Sequence, residues 1–231
     1  MNSAGPERVN AALARFGAVV ADRSALALDD AWLALSAVLT PSFDVAFWRS
    51  SLDALATGCP TATRAGVIDH LFGSGRLSGA REDYGDWRNS RIDHVLSNGV
   101  GIPISLAVTA MVVGRRVGVD LAGVGMPAHF LLGDPADGNW FVDPFNGGEV
   151  LDRTGCRDLF RRITGGAATW REEFLRPTPP AAIVVRMLNN LRASFAREND
   201  QIRLALVMRM RAMVTSADSA DDTRRGQALF N

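Results

Sequence analysis

Between Gly101 and Gly118 the chain reads GIPISLAVTAMVVGRRVG, a helical pattern that is apolar on nearly every side. Ile104, Leu106, Val108, Met111 and Val112 leave it no polar stripe, and a helix hydrophobic all round must be buried. Whatever this chain folds into, other elements have to enclose that helix. Its ends are well marked. Pro103 suits the first helical position, where a backbone N–H has no intrahelical partner. Arg115 and Arg116 stand at the negative end of the helix dipole, and Gly118 is a natural left-handed stop. The apolar run, about 100–114, is too short to span a bilayer, so it reads as a core helix.

Strands are predicted to follow it. Segments 119–125, 128–132 and 140–142 have strand character, and 150–151 adds an edge. The turn cluster from Asp134 to Gly138 joins the second and third of these strands into a hairpin. Upstream the chain looks helical. Val9, Leu13, Phe16 and Val20 recur at helical spacing. Asp29 or Asp30 can cap a second helix that stops before Pro41. A third helix covers 44–58, and Thr61 or Thr63 opens a fourth that ends near Gly73. A Gly/Ser-rich loop spans 73–85, after which Asn89 or Ser90 can cap a short helix ended by Asn98 and Gly99.

Pro177, Pro179 and Pro180 mark a boundary, beyond which helical spacing returns. Val184, Leu188, Leu191 and Phe195 share one helix face. Asn199 or Asp200 caps a second helix with Ile202, Leu206 and Met210, and Asp221 and Asp222 open a third that reaches the terminus. The first two form an antiparallel pair of roughly tetratricopeptide type, too few units for a solenoid. The expected organisation is therefore α+β: a helical N-terminal region over 1–60, a core over 61–176, and a helical tail over 177–231.

Lysine plus arginine equals aspartate plus glutamate at 25 each, so no global field draws the chain to nucleic acid or an anionic membrane. All the basic residues are arginine. Cys59 and Cys156 lie far apart and match no metal or redox spacing, which fits free thiols in a reducing cytoplasm. Asp22 and Arg23 interrupt the early apolar run, so it does not read as a signal segment. A cytoplasmic location is expected.

The candidate site joins the hairpin to the buried helix. If the hairpin pairs symmetrically about Ala136, His129 faces Asp143, with Cβ atoms about 4.5–5.5 Å apart. A carboxylate placed there holds the imidazole by one nitrogen and aims the other into a cleft. A third group belongs at the N-terminus of the Pro103 helix, where the dipole stabilises an anion and acidifies a thiol. The residues available are Pro103, which is inert, and Ser105. A hydroxyl gains little from a helix end and would need His129 as base together with an oxyanion hole. The alternative role for Ser105 is a first-turn serine bonded to nearby backbone. Cys156 is expected in a turn rather than at a helix N-terminus, where the activating environment is missing. His70, His94 and His129 lack ligand spacing, so no metal and no cofactor is expected. Tyr84, Asp86, Trp87, Arg88 and Asn89 form a polar–aromatic cluster just ahead of the site.

The run SRIDHVLSNGVGIPISLAVTAMVVGRRVGVDLAGVGMPAHFLL, followed by FVDPFNGG, resembles the bacterial SirB-type branch of the transglutaminase-like superfamily. Related domains occur in a eukaryotic F-box protein. The likeness covers about residues 60–165, and the order of helical leader, core and helical tail fits the whole chain. It implies a papain-like α+β core, with a central buried helix packed on an antiparallel sheet and a Cys-His-Asp geometry. His129 and Asp143 match the second and third positions, and Arg88 and Asn89 become candidates for organising the cleft. The cysteine position falls on Pro103 or Ser105, and the SirB-type branch generally lacks that cysteine. The expected function is a non-catalytic module with a relict His–Asp cleft that binds a protein or peptide partner. One alternative is a serine-dependent hydrolase or acyltransferase using Ser105, His129 and Asp143; another is a small-molecule or metal-binding module.

Overall fold

The computed structural model describes the backbone of residues 4–22 and 26–228, with side chains over 6–22 and 26–215. Its residues group into two compact units, 46–179 and the discontinuous pair 1–45 with 180–231. The site lies in the first.

That unit is organised around helix α6 (Pro103–Arg116), with Pro103 at its first position and Gly118 left-handed just past its end. Leu106, Ala107, Val108, Ala110 and Val113 are fully buried. Removing a leucine or valine side chain from water is worth about 1.5–3 kcal/mol each, which makes this helix the natural nucleus of packing. Its last turn is tied down by Arg116, which donates to Asp53 Oδ1 at 2.7 Å.

Strands β3 (Ala122–Val124), β4 (Leu131–Asp134), β5 (Asp137–Asp143) and β6 (Glu149–Leu151) form an antiparallel meander in that order, and α6 packs on β3 and β4. Both faces of the sheet are covered. Leu132 and Val142 are buried on one side by strand alternation. Val124, Leu131 and Phe141 meet Cys156, Leu159 and Phe160 on the other. Those last three belong to α7 (Arg153–Thr164), whose first turn is capped by Asp152 accepting from Gly155 N at 2.7 Å.

Helix α3 (Val45–Thr57) sits almost wholly in this unit rather than with the leader. The Asp53–Arg116 pair holds it there, as does His70 Nε2 against Leu55 O at 3.0 Å. Helix α4 (Arg64–Ile68), capped by Thr63, runs on as a π-turn through Gly73. The Gly/Ser-rich segment holds an unexpected element: β1 (Ser78–Gly79) pairs in parallel with β2 (Val100–Gly101). Two-residue strands leave no alternation to read. Their glycines are required by close approach, since a Cβ on Gly79 would stand 2.5 Å from Phe145 O and one on Gly101 2.7 Å from Ser105 Oγ. Neither Asn89 nor Ser90 caps α5 (Ile92–Asn98). A 3-10 turn over Trp87–Ser90 intervenes, Asp86 caps that turn, and Arg91 occupies the α5 cap position.

The second unit is helical: α1 (Ala4–Ala21), α2 (Leu28–Leu39), α8 (Pro180–Arg197) and α9 (Gln201–Ala228). Leu13, Phe16, Val20, Val184, Leu188, Leu191 and Phe195 are buried at the expected spacing. In α9 the buried stripe runs through Val207, Met210 and Val214, whereas Ile202 is exposed. Asp200 caps that helix by accepting from Arg203 N at 3.0 Å. No separate helix begins at Asp221, because α9 is continuous; residues 229–231 lie outside those described. Among the described residues no helix is long and apolar enough to cross a membrane.

Candidate functional site

Asp143 closes β5 and caps the 3-10 turn Pro144–Asn146, which ends on left-handed Gly147. The string Asp-Pro-Phe-Asn-Gly builds this turn locally: a cap acceptor, a proline where no N–H is needed, and a glycine at the stop. Oδ1 accepts from Phe145 N at 3.0 Å, from Asn146 N at 3.3 Å and from His129 Nε2 at 2.9 Å. Oδ2 accepts from Asn146 Nδ2 at 2.6 Å. The side chain is fully buried. Burial pushes its carboxyl upward, but the His129 hydrogen bond and charge, the Asn146 amide and the Phe145 N–H outweigh that and hold it below the usual carboxylate range. An ionised Asp143 makes His129 Nε2 the donor, so Nδ1 is the nitrogen that any further chemistry would use.

The His–Asp pair forms, but not by the expected register. Leu132 pairs with Val142 and Gly133 with Phe141, two residues away from symmetry about Ala136, and the ladder slips at Gly133/Asp134. A one-residue slip would have reversed the faces, whereas a two-residue shift preserves them. His129 itself precedes β4. It is set by a turn in which its N–H donates to Met126 O at 3.1 Å and Ala128 adopts φ 63°. A left-handed alanine costs about 1–2 kcal/mol, so the backbone is strained immediately before the histidine.

An aromatic and cationic edge borders the pair. The His129 and Phe145 rings meet edge to face with centroids 6.2 Å apart, and Tyr84 meets Phe145 at 5.7 Å. The Arg81 guanidinium lies 5.3 Å from the Phe145 centroid and donates to Asn146 Oδ1 at 2.6 Å. Asn146 thus bridges Arg81 to the carboxylate. The sequence marks Asn146 only as a turn residue; the signal available was its place three residues after a capping aspartate. Arg81 also lines a polar cavity of about 430 Å³ with Asp83, Asp86, Arg88, Asn89 and His94.

Ser105 is placed differently. It is fully buried, and its hydroxyl donates to Asn89 O at 2.7 Å and accepts from Ile102 N at 3.1 Å, with Ile102 O 3.0 Å away. Among the described residues Oγ bonds only backbone atoms, so the structure brings His129 and Asp143 together without a hydrogen bond to Ser105. The hydroxyl satisfies an N–H at the start of α6 that the helix cannot. Asn89 is itself fixed by donating Nδ2 to Asp83 O at 2.7 Å. Arg88 pairs with Asp86, Nη2 to Oδ2 at 2.6 Å. Pro103 offers no nucleophile.

The remaining candidates are also accounted for. Cys156 lies not in a loop turn, as expected, but in the first turn of α7, its N–H donating to Asp152 O, and is buried there; burial first, then Asp152 and Asp143, push its thiol up to about 12 despite the helix end. Cys59 Sγ contacts Thr61 O at 3.3 Å. His94 Nδ1 lies 3.1 Å from Asn98 Nδ2, and burial lowers its pKa. Among the described residues no three His, Cys, Asp or Glu side chains gather as metal ligands.

The sequence has relatives. A UPF0162 protein of Xylella fastidiosa (strain 9a5c) is 40% identical over 145 residues, which is 61% of this chain and 52% of that protein. A UPF0162 protein of Vibrio cholerae is 33% identical over 136 residues, 56% and 48% respectively. The mouse F-box only protein 21 is 39% identical over 62 residues, 27% of this chain and 10% of that protein. The chain spans about half the length of these bacterial relatives. No solved structure shows significant similarity. The model of the transglutaminase-like superfamily matches residues 45–189, more than half of the chain. With a helix-enclosed antiparallel sheet and a buried His–Asp pair inside the matched segment, this chain belongs to the transglutaminase-like superfamily.

Proposed function

We propose that this chain is a non-catalytic transglutaminase-like protein whose His129–Asp143 cleft binds a protein or peptide partner. One observation carries the reading: the only hydroxyl at the start of α6 is buried and committed to the backbone of Asn89 and Ile102. A serine nucleophile needs an accessible oxygen whose proton a base can take. Ser105 has neither, and Pro103 and the high thiol pKa of Cys156 supply no substitute.

The reading takes the arrangement as papain-like, with α6 as the central helix, and assigns the chain to the SirB-type branch. In it the helical tail is tetratricopeptide-like and the protein is cytoplasmic, with no nucleic-acid or membrane partner. The surface beside the pair suits a peptide. Tyr84 is half exposed, stacked through Phe145 toward His129, and Arg81 joins this edge to the polar cavity. Exposed aromatics next to a fixed guanidinium are the residue types that anchor binding surfaces.

A displayed peptide library panned against the whole protein tests this. Selected peptides should bind the parent, lose at least about tenfold in affinity on Tyr84→Ala, and be recovered intact. Peptides cleaved or modified in a His129-dependent way would overturn the reading.

A further inference from the structure

Gly133 sits mid-strand in β4, paired with Phe141 and facing the α7 core. A Cβ there would already stand 3.1 Å from Val124 Cγ2, so the strand carries glycine where a larger side chain would crowd its neighbours. Beside it lies a cavity of about 360 Å³, lined by Val124, Gly133, Phe141, Leu175 and Pro177 among others. That volume lies at the lower end of the range for small-molecule sites, about 300–1,000 Å³. None of its lining residues belongs to the His129–Asp143 corner.

The charged groups around the opening divide into two sets. Asp134 is taken by Arg64 at 2.6 Å. Arg153 donates to Glu172 Oε2 at 2.8 Å and to Gly138 O at 3.0 Å, and Glu172 Oε1 accepts from Trp170 Nε1 at 2.8 Å. These side chains build the wall. Arg176 and Glu173 also line the cavity, are exposed, and have no side-chain partner among the described residues. One unpaired cation and one unpaired anion therefore overlook an apolar floor.

We propose that this hollow binds a free α-amino acid with an apolar side chain. The side chain lies on Val124, Phe141 and Leu175, the carboxylate meets Arg176, and the ammonium meets Glu173. A guanidinium receives a carboxylate through charge-assisted paired hydrogen bonds, and an exposed ion pair gains when one partner arrives on a ligand already anchored by burial.

The test follows methyl resonances of Val124 and Leu175 in the whole protein during titration with L-leucine, N-acetyl-leucine and leucine amide. Leucine should give saturable shifts, while the two singly charged analogues and leucine on Arg176→Ala should each bind at least about tenfold more weakly. Both substituted positions are exposed, so Arg176→Ala and Glu173→Gln are expected to leave the fold intact; Glu173→Gln should weaken leucine and spare N-acetyl-leucine. Absence of saturation, or unchanged affinity on Arg176→Ala, would overturn the proposal. N-acetyl-leucine binding as tightly as leucine would overturn the zwitterion and assign the site to a peptide C-terminus.

Discussion

The molecule contains two buried polar corners within one unit, and they are built on opposite plans. At the start of α6, Ser105 spends its hydroxyl on two backbone groups. At the end of β5, Asp143 gathers donors from Phe145, Asn146 and His129 and thereby fixes a ring with a second nitrogen beyond the carboxylate. The first corner closes a helix end; the second orients a titratable group. Burial and satisfied hydrogen bonds are common to both, so those features alone do not mark a working site. What distinguishes them is the side chain each network holds: a hydroxyl spent on backbone in the first, an imidazole held by a carboxylate in the second.

The largest expected effect comes from the carboxylate. Asp143→Ala leaves the donors of His129, Phe145 and Asn146 without their acceptor, and breaking a buried pair of this kind costs about 3–5 kcal/mol. Urea unfolding measures it. A loss below about 1 kcal/mol would mean the corner is not the organised network described.

Ser105→Ala should cost about 1–3 kcal/mol, because it strands the Ile102 N–H and frees Asn89 O. The same variant should bind selected peptides as the parent does. Lost binding with unchanged stability would reverse the roles given to the two corners.

Acid titration separates them further, since only the Asp143 corner carries a charge. Its folded carboxyl is held below the unfolded value near 3.9, so its contribution is complete above about pH 4 and is lost as pH falls through the folded pKa. Asp143→Asn should flatten the stability–pH slope in that window. Asp86, Asp134, Glu172 and Asp200 are also depressed and retain a residual slope. His94, lowered by burial, acts at higher pH: folding is favoured above about 6.5 and weakened below it. A slope unchanged by Asp143→Asn would contradict an ionised Asp143.

The smallest effect is a rate. With its thiol raised to about 12 and its side chain buried, Cys156 should resist alkylation at pH 8 in the native protein, whereas the partly exposed Cys59 reacts. Denaturant should expose the second thiol. Two equally fast thiols in the native state would open Cys156 to a role at the site.

Much of this frame was legible in the sequence, and the limits have physical causes. Pro103, the all-round apolar pattern and Gly118 mark α6 because caps and periodicity are local properties. The meander was readable for the same reason. His129 and Asp143 could be paired despite a register that differs by two residues, because an even shift keeps side chains on their faces. The left-handed Ala128 that aims His129 has no sequence signature, since alanine rarely takes that conformation. The fate of Ser105 depends on Asn89 O, sixteen residues away, which lies in a 3-10 turn capped by Asp86 where Asn89 or Ser90 was expected to cap α5. Asn146 was hidden inside its own turn, where its side-chain amide does separate work from its backbone.

The central claim is that the hydroxyl at the α6 N-terminus is structural and that the cleft performs no serine chemistry. Fluorophosphonate labelling of the native whole protein, read by peptide mass at Ser105, tests this most directly. No adduct on Ser105 is predicted, and none should appear on raising the pH. A stoichiometric adduct on Ser105 that disappears with His129→Ala would contradict it.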